Sequence, residues 1–596
     1  MPRLVSAFVF LTAVPVLAQA LPVVPQSPES ILPASTYAVL RFGGLSACRT
    51  AANAMPAAAA VHDFLAKVPA EVRAQHIEAM LDRAAEELQA GCDDMQLRPA
   101  DLRAAFGRPM ALAVGRVSIE GWGPSVALVI DTGEHRRAVN RLVQWGAQLV
   151  AQHAGVAESG EVEIAGSKFH SLLLQEGPSL FAGAVGKFYV VSNSRGMLRE
   201  LLGVQAGQQP GLTAATRLGS LQGELPVPAL ASLFLNTAPL MASLAPHLPY
   251  EASDWADALG LGACDAVYWA SGAGESGGAE MLHLGVGGSE RGLAKVLLST
   301  PADLGAARSL SPNTVAFAAG SLDIEGLVAA FERFTALLPA QAREEMTREM
   351  HHELGRELAH MGTSPAELRK LLGAFGSQIT MALALEKGAV PKPELLVRIA
   401  VRDADVVARL MRQMEGATSE HAGLQWKSRD VDGRDVRFCA LQPEGVPFQL
   451  SPCYVLMPDA VWIGSDAAAL VRALRQDAAE SLAEQPDFQQ LVAQSRGASG
   501  VMHLRLFRAV EIGWRAVETS LYPMLDSQEE MIGFSSEALP DAETMAKALG
   551  CDTSIWHVGK DGVTLHGRGT FASGSLLAAL GAVADEIFAR ASGKVF

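Results

Sequence analysis

Along this chain the spacing of apolar residues changes rhythm in a repeated way. From Ser125 the run SVALVIDTGEHRRAVNRLVQW begins with strand-like apolar residues and passes, after a polar joint, into apolar residues three and four apart. The first rhythm is that of a β-strand and the second that of an amphipathic helix. FYVVSNSRGMLRELL from Phe188 and MLHLGVGGSERGLAKVLL from Met281 repeat the change. After residue 300 it returns in ELLVRIAVRDADVVARLMRQM, VWIGSDAAALVRAL and TLHGRGTFASGSLLAAL. Ser, Asp, Asn or Thr stands at these joints, where a side-chain oxygen accepts hydrogen bonds from the free N–H groups of a first helical turn.

A second β-type run precedes most of these strands across a tight Gly-bearing turn, as in VGKDG at 558–562. Each unit therefore reads strand, hairpin, strand, helix, and hairpins impose antiparallel pairing. Longer amphipathic stretches, HDFLAKVPAEVRAQHIEAMLDRAAEELQA and LVAAFERFTALLPAQAREEMTREMHHELGRELAH, follow the first strand of each series and predict a helical cap.

The parallel extends to short motifs that recur in the same order. LPASTYAV from Leu32 matches LSPNTVAF from Leu310, RPADLR from Arg98 matches SPAELR from Ser364, and MALAV from Met110 matches MALAL from Met381. IAGSKF from Ile164 pairs with VDGRDV from Val431, FYVVSNS with AVWIGSD from Ala460, and CDAVYW from Cys264 with CDTSIW from Cys551. This order predicts an internal duplication, with residues 1–20 a leader, 21–305 a first repeat and 306–596 a second. The fold class expected is α+β, each half a mainly antiparallel sheet with helices packed on one face and the helical cap inserted.

The leader reading rests on MPRLVSAFVFLTAVPVLAQA, where Arg3 precedes an apolar run that ends at Ala18-Gln19-Ala20. That is the form of a cleavable signal peptide, so we expect cleavage after Ala20 and a periplasmic or extracellular protein. No later apolar stretch is long enough to predict a transmembrane segment in the mature chain. With 48 Lys and Arg against 64 Asp and Glu, the net charge of −16 argues against nucleic acid as a partner.

Six cysteines in an exported chain allow a disulfide framework. Cys439 and Cys453 flank a hairpin expected to turn at Glu444-Gly445-Val446-Pro447, which would set them opposite each other. Cys264 and Cys551 occupy matching positions and would meet if the halves associate about a twofold axis, leaving Cys48 for Cys92.

Motifs with catalytic form are present but poorly placed. GESGG at 274–278 has the G-x-S-x-G pattern, yet AEMLHLGV after it reads as a strand, whereas a nucleophile elbow needs a helix there. The matching turn of the other half, GKDG, has no serine. Glu349 with His352 and Glu357 with His360 have the Glu-x-x-His spacing of di-metal bundles, but they share one helical stretch instead of facing each other from two. Asp265 and Asp552 recur within the CDxxxW pair and could form a twofold carboxylate dyad, although turn residues are the commoner use of Asp. No Walker loop, dinucleotide fingerprint, CxxC or calcium loop occurs, so no catalytic residue, metal or cofactor is assigned.

The leader, the LP-x-x-T opening strand and the repeated strand-to-helix units resemble a group of secreted bacterial proteins known only as a domain of unknown function. That resemblance implies no activity. The chain is thus expected to be a non-catalytic exported envelope protein, binding or structural. One alternative is a carrier of an apolar ligand between sheet and helices, lined by residues such as Phe181, Val190, Phe234 and Leu235. The other is a hydrolase using Ser276 or the Glu and His cluster.

Overall fold

The computed structural model describes residues 27–593 except 95, 118–122, 176–178, 245, 247–263, 287–299, most of 324–371, 387, 389–390, 443–448, 477 and 533–534. Strands up to residue 300 are β1 (Ala38–Phe42), β2 (Met110–Val117), β3 (Pro124–Asp131), β4 (Val156–Ile164), β5 (Ser167–Leu174), β6 (Leu180–Val185), β7 (Phe188–Ser192), β8 (Ala229–Asn236), β9 (Cys264–Gly274) and β10 (Gly277–Val286). Those after it are β11 (Thr314–Ser321), β12 (Phe375–Glu386), β13 (Lys392–Val401), β14 (Lys427–Val431), β15 (Arg434–Phe438), β16 (Cys453–Leu456), β17 (Ala460–Gly464), β18 (Gly500–Leu504), β19 (Asp552–Gly559) and β20 (Gly562–Gly569).

The class is α+β, and all twenty strands join one sheet whose pairings are antiparallel throughout. From one edge the order is β4, β5, β6, β7, β3, β2, β1, β8, β9, β10, then β20, β19, β18, β11, β12, β13, β17, β16, β15, β14. Read outward from the middle, the strands before residue 300 and those after it follow the same connectivity. A separate sheet for each half was expected; instead the outer strands β10 and β20 pair over Gly278–Leu284 and Val563–Gly569. Each covers what would otherwise be an open edge with unpaired N–H and C=O groups.

The helices used below are α1 (Leu45–Ala54), α2 (Ala79–Asp94), α3 (Pro99–Ala105), α4 (Arg136–Ala154), α5 (Arg195–Gln205), α6 (Ala404–Ala422), α7 (Ala467–Arg475), α8 (Pro486–Gln494) and α9 (Ser573–Ala591). Side chains at their joints do the capping that the sequence pattern implies. Ser194 Oγ accepts from Met197 N at the start of α5, and Asp466 accepts from Ala468 N and Ala469 N at the start of α7.

Helices cover both faces of the sheet, not the single face expected. Val129 and Val190 pack with Leu198 and Leu201 of α5, whereas their strand neighbours Ile130 and Tyr189 pack with Val139 of α4. Successive strand residues point to opposite faces, so these are two cores on two sides. After residue 300, α7 and α8 supply Leu470 and Leu491 to one core, and α6 supplies Val407 to the other.

The stretch following β1 is helical through α1 and α2 to Asp94, while its counterpart after β11 lies largely outside the described residues. The last helix packs across the boundary expected at residue 305. From the end of the chain α9 crosses to β8, β9 and β10 and packs beside α1, α2 and α3. Asp585 of α9, buried, binds Arg103 of α3 in two hydrogen bonds of 2.8 Å and Arg49 of α1 at 2.9 Å.

Candidate functional site

Between α4 and the sheet lies a cavity of about 610 Å³, within the range of small-molecule sites. Its floor is Met110, Leu128, Ile130, Ala182 and Val191, and its roof is Leu142, Val143, Trp145 and Val150 of α4, with Phe106 closing one end. The space exists because small residues meet there. Gly146, Ala147 and Ala151 on α4 stand over Ala182 on β6, so helix and sheet cannot interdigitate to the density of an ordinary core.

The first half of α4 is firmly held. Val139 is fully buried, Tyr189 Oη donates to Asn140 Oδ1 at 2.8 Å, and Arg141 pairs with Asp101 of α3 at 2.5 Å. Arg98 also hydrogen-bonds Asp101, and together with Arg141 it holds that carboxyl below its usual range against the opposing effect of burial. The second half of the helix is the part that spans the cavity.

Polar residues also take part in the lining: Gln144 and Gln148 of α4, Ser159 of β4, and His170 and Ser171 of β5. Among the described residues no Lys, Arg, Asp or Glu lines the cavity. Such a lining offers hydrocarbon contact and a few hydrogen-bonding groups.

Phe181, Val190, Phe234 and Leu235, the residues expected to face an apolar ligand, do not line this cavity. The first three are almost fully buried in the α5-side core, and the cavity is lined by the next residues along, Ala182 and Val191. Leu235 stands opposite Ala38 on β1. Strands β6 and β7 border the cavity with their other face, because side chains alternate along a strand.

A second cluster is Asp487, His503 and Cys551, whose ligand atoms lie within 4.8 Å of one another. A guanidinium already occupies it. Arg505, buried, donates to Asp487 from Nε at 2.6 Å and from Nη2 at 3.1 Å, and its Nη1 donates to the carbonyls of Pro312 and Thr314. Despite its burial, the Asp487 carboxyl is held well below the usual range by His503 and Arg505, while burial pushes the Cys551 thiol up to about 12. A protonated thiol beside an Arg-bound carboxylate is neither a nucleophile nor a metal cage. The group ties α8 and β18 to the segment before β11.

The other sequence candidates are scattered. Ser276 is at the tip of the β9–β10 hairpin, and a strand follows it. It borders a 410 Å³ depression that no histidine or carboxylate among the described residues lines. Asp265 pairs with Arg217 at 2.9 Å, and Asp552 accepts the N–H groups of Thr570 and Phe571 at 2.6 and 3.0 Å, so the two carboxylates serve separate turns. Glu349, His352, Glu357 and His360 lie outside the described residues.

All six cysteines are free thiols in this structure. Cys453 stands opposite Phe438, and Cys439 N donates to the carbonyl of Pro452, which leaves the two cysteines one residue out of the facing register. Cys264 and Cys551 are kept apart by β10 and β20, which lie between β9 and β19. Cys48 packs with Ala273 and Ala578, and Cys92 with Leu45 and Leu97, in different clusters.

No protein-family model matches the chain, and no curated protein or solved structure is detectably similar to it.

Proposed function

We propose that the chain is an exported, non-catalytic envelope protein, built from two copies of one module, whose first half carries an apolar ligand between α4 and the sheet. The single observation that supports carriage is the 610 Å³ space with a mostly apolar lining. A core left unfilled to that extent costs stability, which a resident ligand would return.

The duplication reading draws on matching details as well as on strand order. Ala165-Gly166 and Asp432-Gly433, the turns of IAGSKF and VDGRDV, both have positive φ at both residues, the form of a two-residue hairpin turn. Asn236 of β8 donates to the carbonyls of Ala34 and Thr36. Arg505, in the same place after β18, donates to those of Pro312 and Thr314, the aligned residues of LSPNTVAF. Export rests on the leader sequence alone, with periplasm or outside medium as destinations.

The test is solvent extraction of the purified full-length protein followed by mass spectrometry, with titration of the uncharged fluorophore N-phenyl-1-naphthylamine. Co-purifying lipid, or saturable fluorophore uptake that Leu142→Asp abolishes, is the expected result. Neither lipid nor saturable uptake would remove the reading.

A further inference from the structure

The sheet allows the two halves to be compared position by position, because facing residues share a face. On the α4 side one row runs His170, Ala182, Val191, Leu128, Leu112, Leu40 across β5, β6, β7, β3, β2 and β1. The row in the same place after residue 300 runs Arg437, Tyr454, Ile463, Val397, Met381, Ala318 across β15, β16, β17, β13, β12 and β11, so the sheet register sets Leu112 against Met381, two residues from the pairing of MALAV with MALAL. His170 thus corresponds to Arg437, and Ala182 to Tyr454.

The covering helices also correspond. Both α4 and α6 have 19 residues, and Ala147 and Glu415 hold the same place in them, as do Val150 and Thr418. Ser159, five residues before the turn-entering Ile164, corresponds to Trp426, five before Val431.

Five positions that leave the cavity open in the first half thus carry interlocking side chains in the second. Arg437 binds Glu415 through two hydrogen bonds of 2.8 and 2.7 Å, and Tyr454 Oη donates to Glu415 Oε1 at 2.7 Å. Trp426 packs on Tyr454 with ring centroids 5.8 Å apart and donates from Nε1 to Thr418 Oγ1 at 2.9 Å. Hydrogen bonds from Arg437 hold the Glu415 carboxyl below its usual range against the effect of burial, which keeps it the anion that this network needs. Tyr, Trp, Glu and Arg stand where the first half has Ala, Ser, Ala and His.

We propose that the chain binds one ligand per molecule, in the first half only, and that the ligand is a neutral amphiphile: a hydrocarbon with an uncharged hydrogen-bonding head. This inference rests on the carrier reading and adds the class and the count. The head is assigned to Gln144, Gln148, Ser159 and His170, polar residues of the lining. No Lys, Arg, Asp or Glu among the described residues lines the cavity, so an ionised head placed there would lose water without a charged lining group to replace it. A charge beside these residues is that of Glu161, which faces His170 on β4 and is paired with Lys168 at 3.3 Å.

Calorimetry and native mass spectrometry with the full-length protein test this, using a monoacylglycerol, a fatty acid and an alkylammonium of one chain length. The expected result is one site that prefers the monoacylglycerol at least tenfold. Ala147→Glu, His170→Arg and Ala182→Tyr together should abolish it, with the melting curve showing a folded chain. Should that variant not fold, Ala182→Tyr alone is read instead and should weaken binding at least tenfold. The reciprocal Glu415→Ala, Arg437→His and Tyr454→Ala variant should bind a second equivalent.

A wild type that binds none of the three probes would overturn the carrier reading itself. Binding that survives both first-half variants, or that favours a charged head, would leave a carrier but overturn this inference.

Discussion

Leu282 of β10 faces Leu565 of β20 at the centre of the twenty-stranded sheet, and the pairs beside them, Met281 with His566 and His283 with Thr564, are each other's image. One strand further out on each side, Leu282 faces Trp269 and Leu565 faces Trp556. The two tryptophans of the recurring CDxxxW motif are therefore placed symmetrically about the junction. Both are only half-buried, while Tyr268 and Ile555 next to them point into the core.

His283 makes this junction sensitive to acid. It is buried, its Nδ1 is 2.8 Å from Thr564 Oγ1, and its Nε2 has no partner among the described residues. Burial lowers its pKa, with Glu224, Asp265 and Asp561 opposing and Arg217 assisting. The folded form therefore binds its proton less readily than the unfolded chain, so stability is intact above the unfolded value of about 6.5 and falls as pH drops through and below it. Urea midpoints at pH 7.5 and 5.5 should differ in that direction, and His283→Gln should reduce the difference. An unchanged difference would remove His283 from the account.

Asp585 should be the strongest single tie between the last helix and the first half. Burial disfavours its ionised form, but hydrogen bonds from Arg103 and Arg49 more than offset this and lower its pKa. Asp585→Asn leaves two guanidinium groups without their anion, and breaking a buried pair in this way costs roughly 3 kcal/mol. Denaturant melts should show that loss, together with faster proteolysis within α9.

Gly500 lies beneath a tryptophan ring. A Cβ there would come within 1.8 Å of Trp556, its cross-strand partner, so Gly500→Ala must displace the indole. Overpacking of this kind costs about 1–3 kcal/mol. A shifted tryptophan emission spectrum with a lowered melting temperature is expected, and an unchanged spectrum would contradict the packing.

Thiol chemistry distinguishes the structure from the disulfide framework expected of an exported chain. Cys48, Cys92, Cys439 and Cys453 are buried, and burial raises all four thiol pKa values, pushing Cys48 and Cys453 up to about 12. Native protein should leave these four unlabelled by maleimide, with complete labelling in denaturant and no reductant. Non-reducing peptide maps that join Cys439 to Cys453 would show that the β15–β16 register shifts by one residue.

Much of the architecture was legible in the chain. Alternating residues before Ser194 and Asp466, helical spacing after them and the capping side chains themselves gave strand, joint and helix without reference to anything distant. Turns such as Ala165-Gly166 and Asp432-Gly433 were equally readable, because a two-residue hairpin depends on local backbone geometry. Comparison of the matched halves would also have exposed the cavity, since Ala147 and Ala182 against Glu415 and Tyr454 is a difference in volume visible in sequence.

Local order of elements, their antiparallel sense and the recurrence of motifs follow from the sequence by itself, because each depends on neighbours a few residues apart. Tertiary structure alone decided that β10 and β20 would join the sheet into one, that α9 would cross to the other half, and which face of β6 and β7 would border the empty space. Those outcomes depend on contacts between residues hundreds of positions apart. A period of two states that side chains alternate, but it cannot say which side a helix will cover.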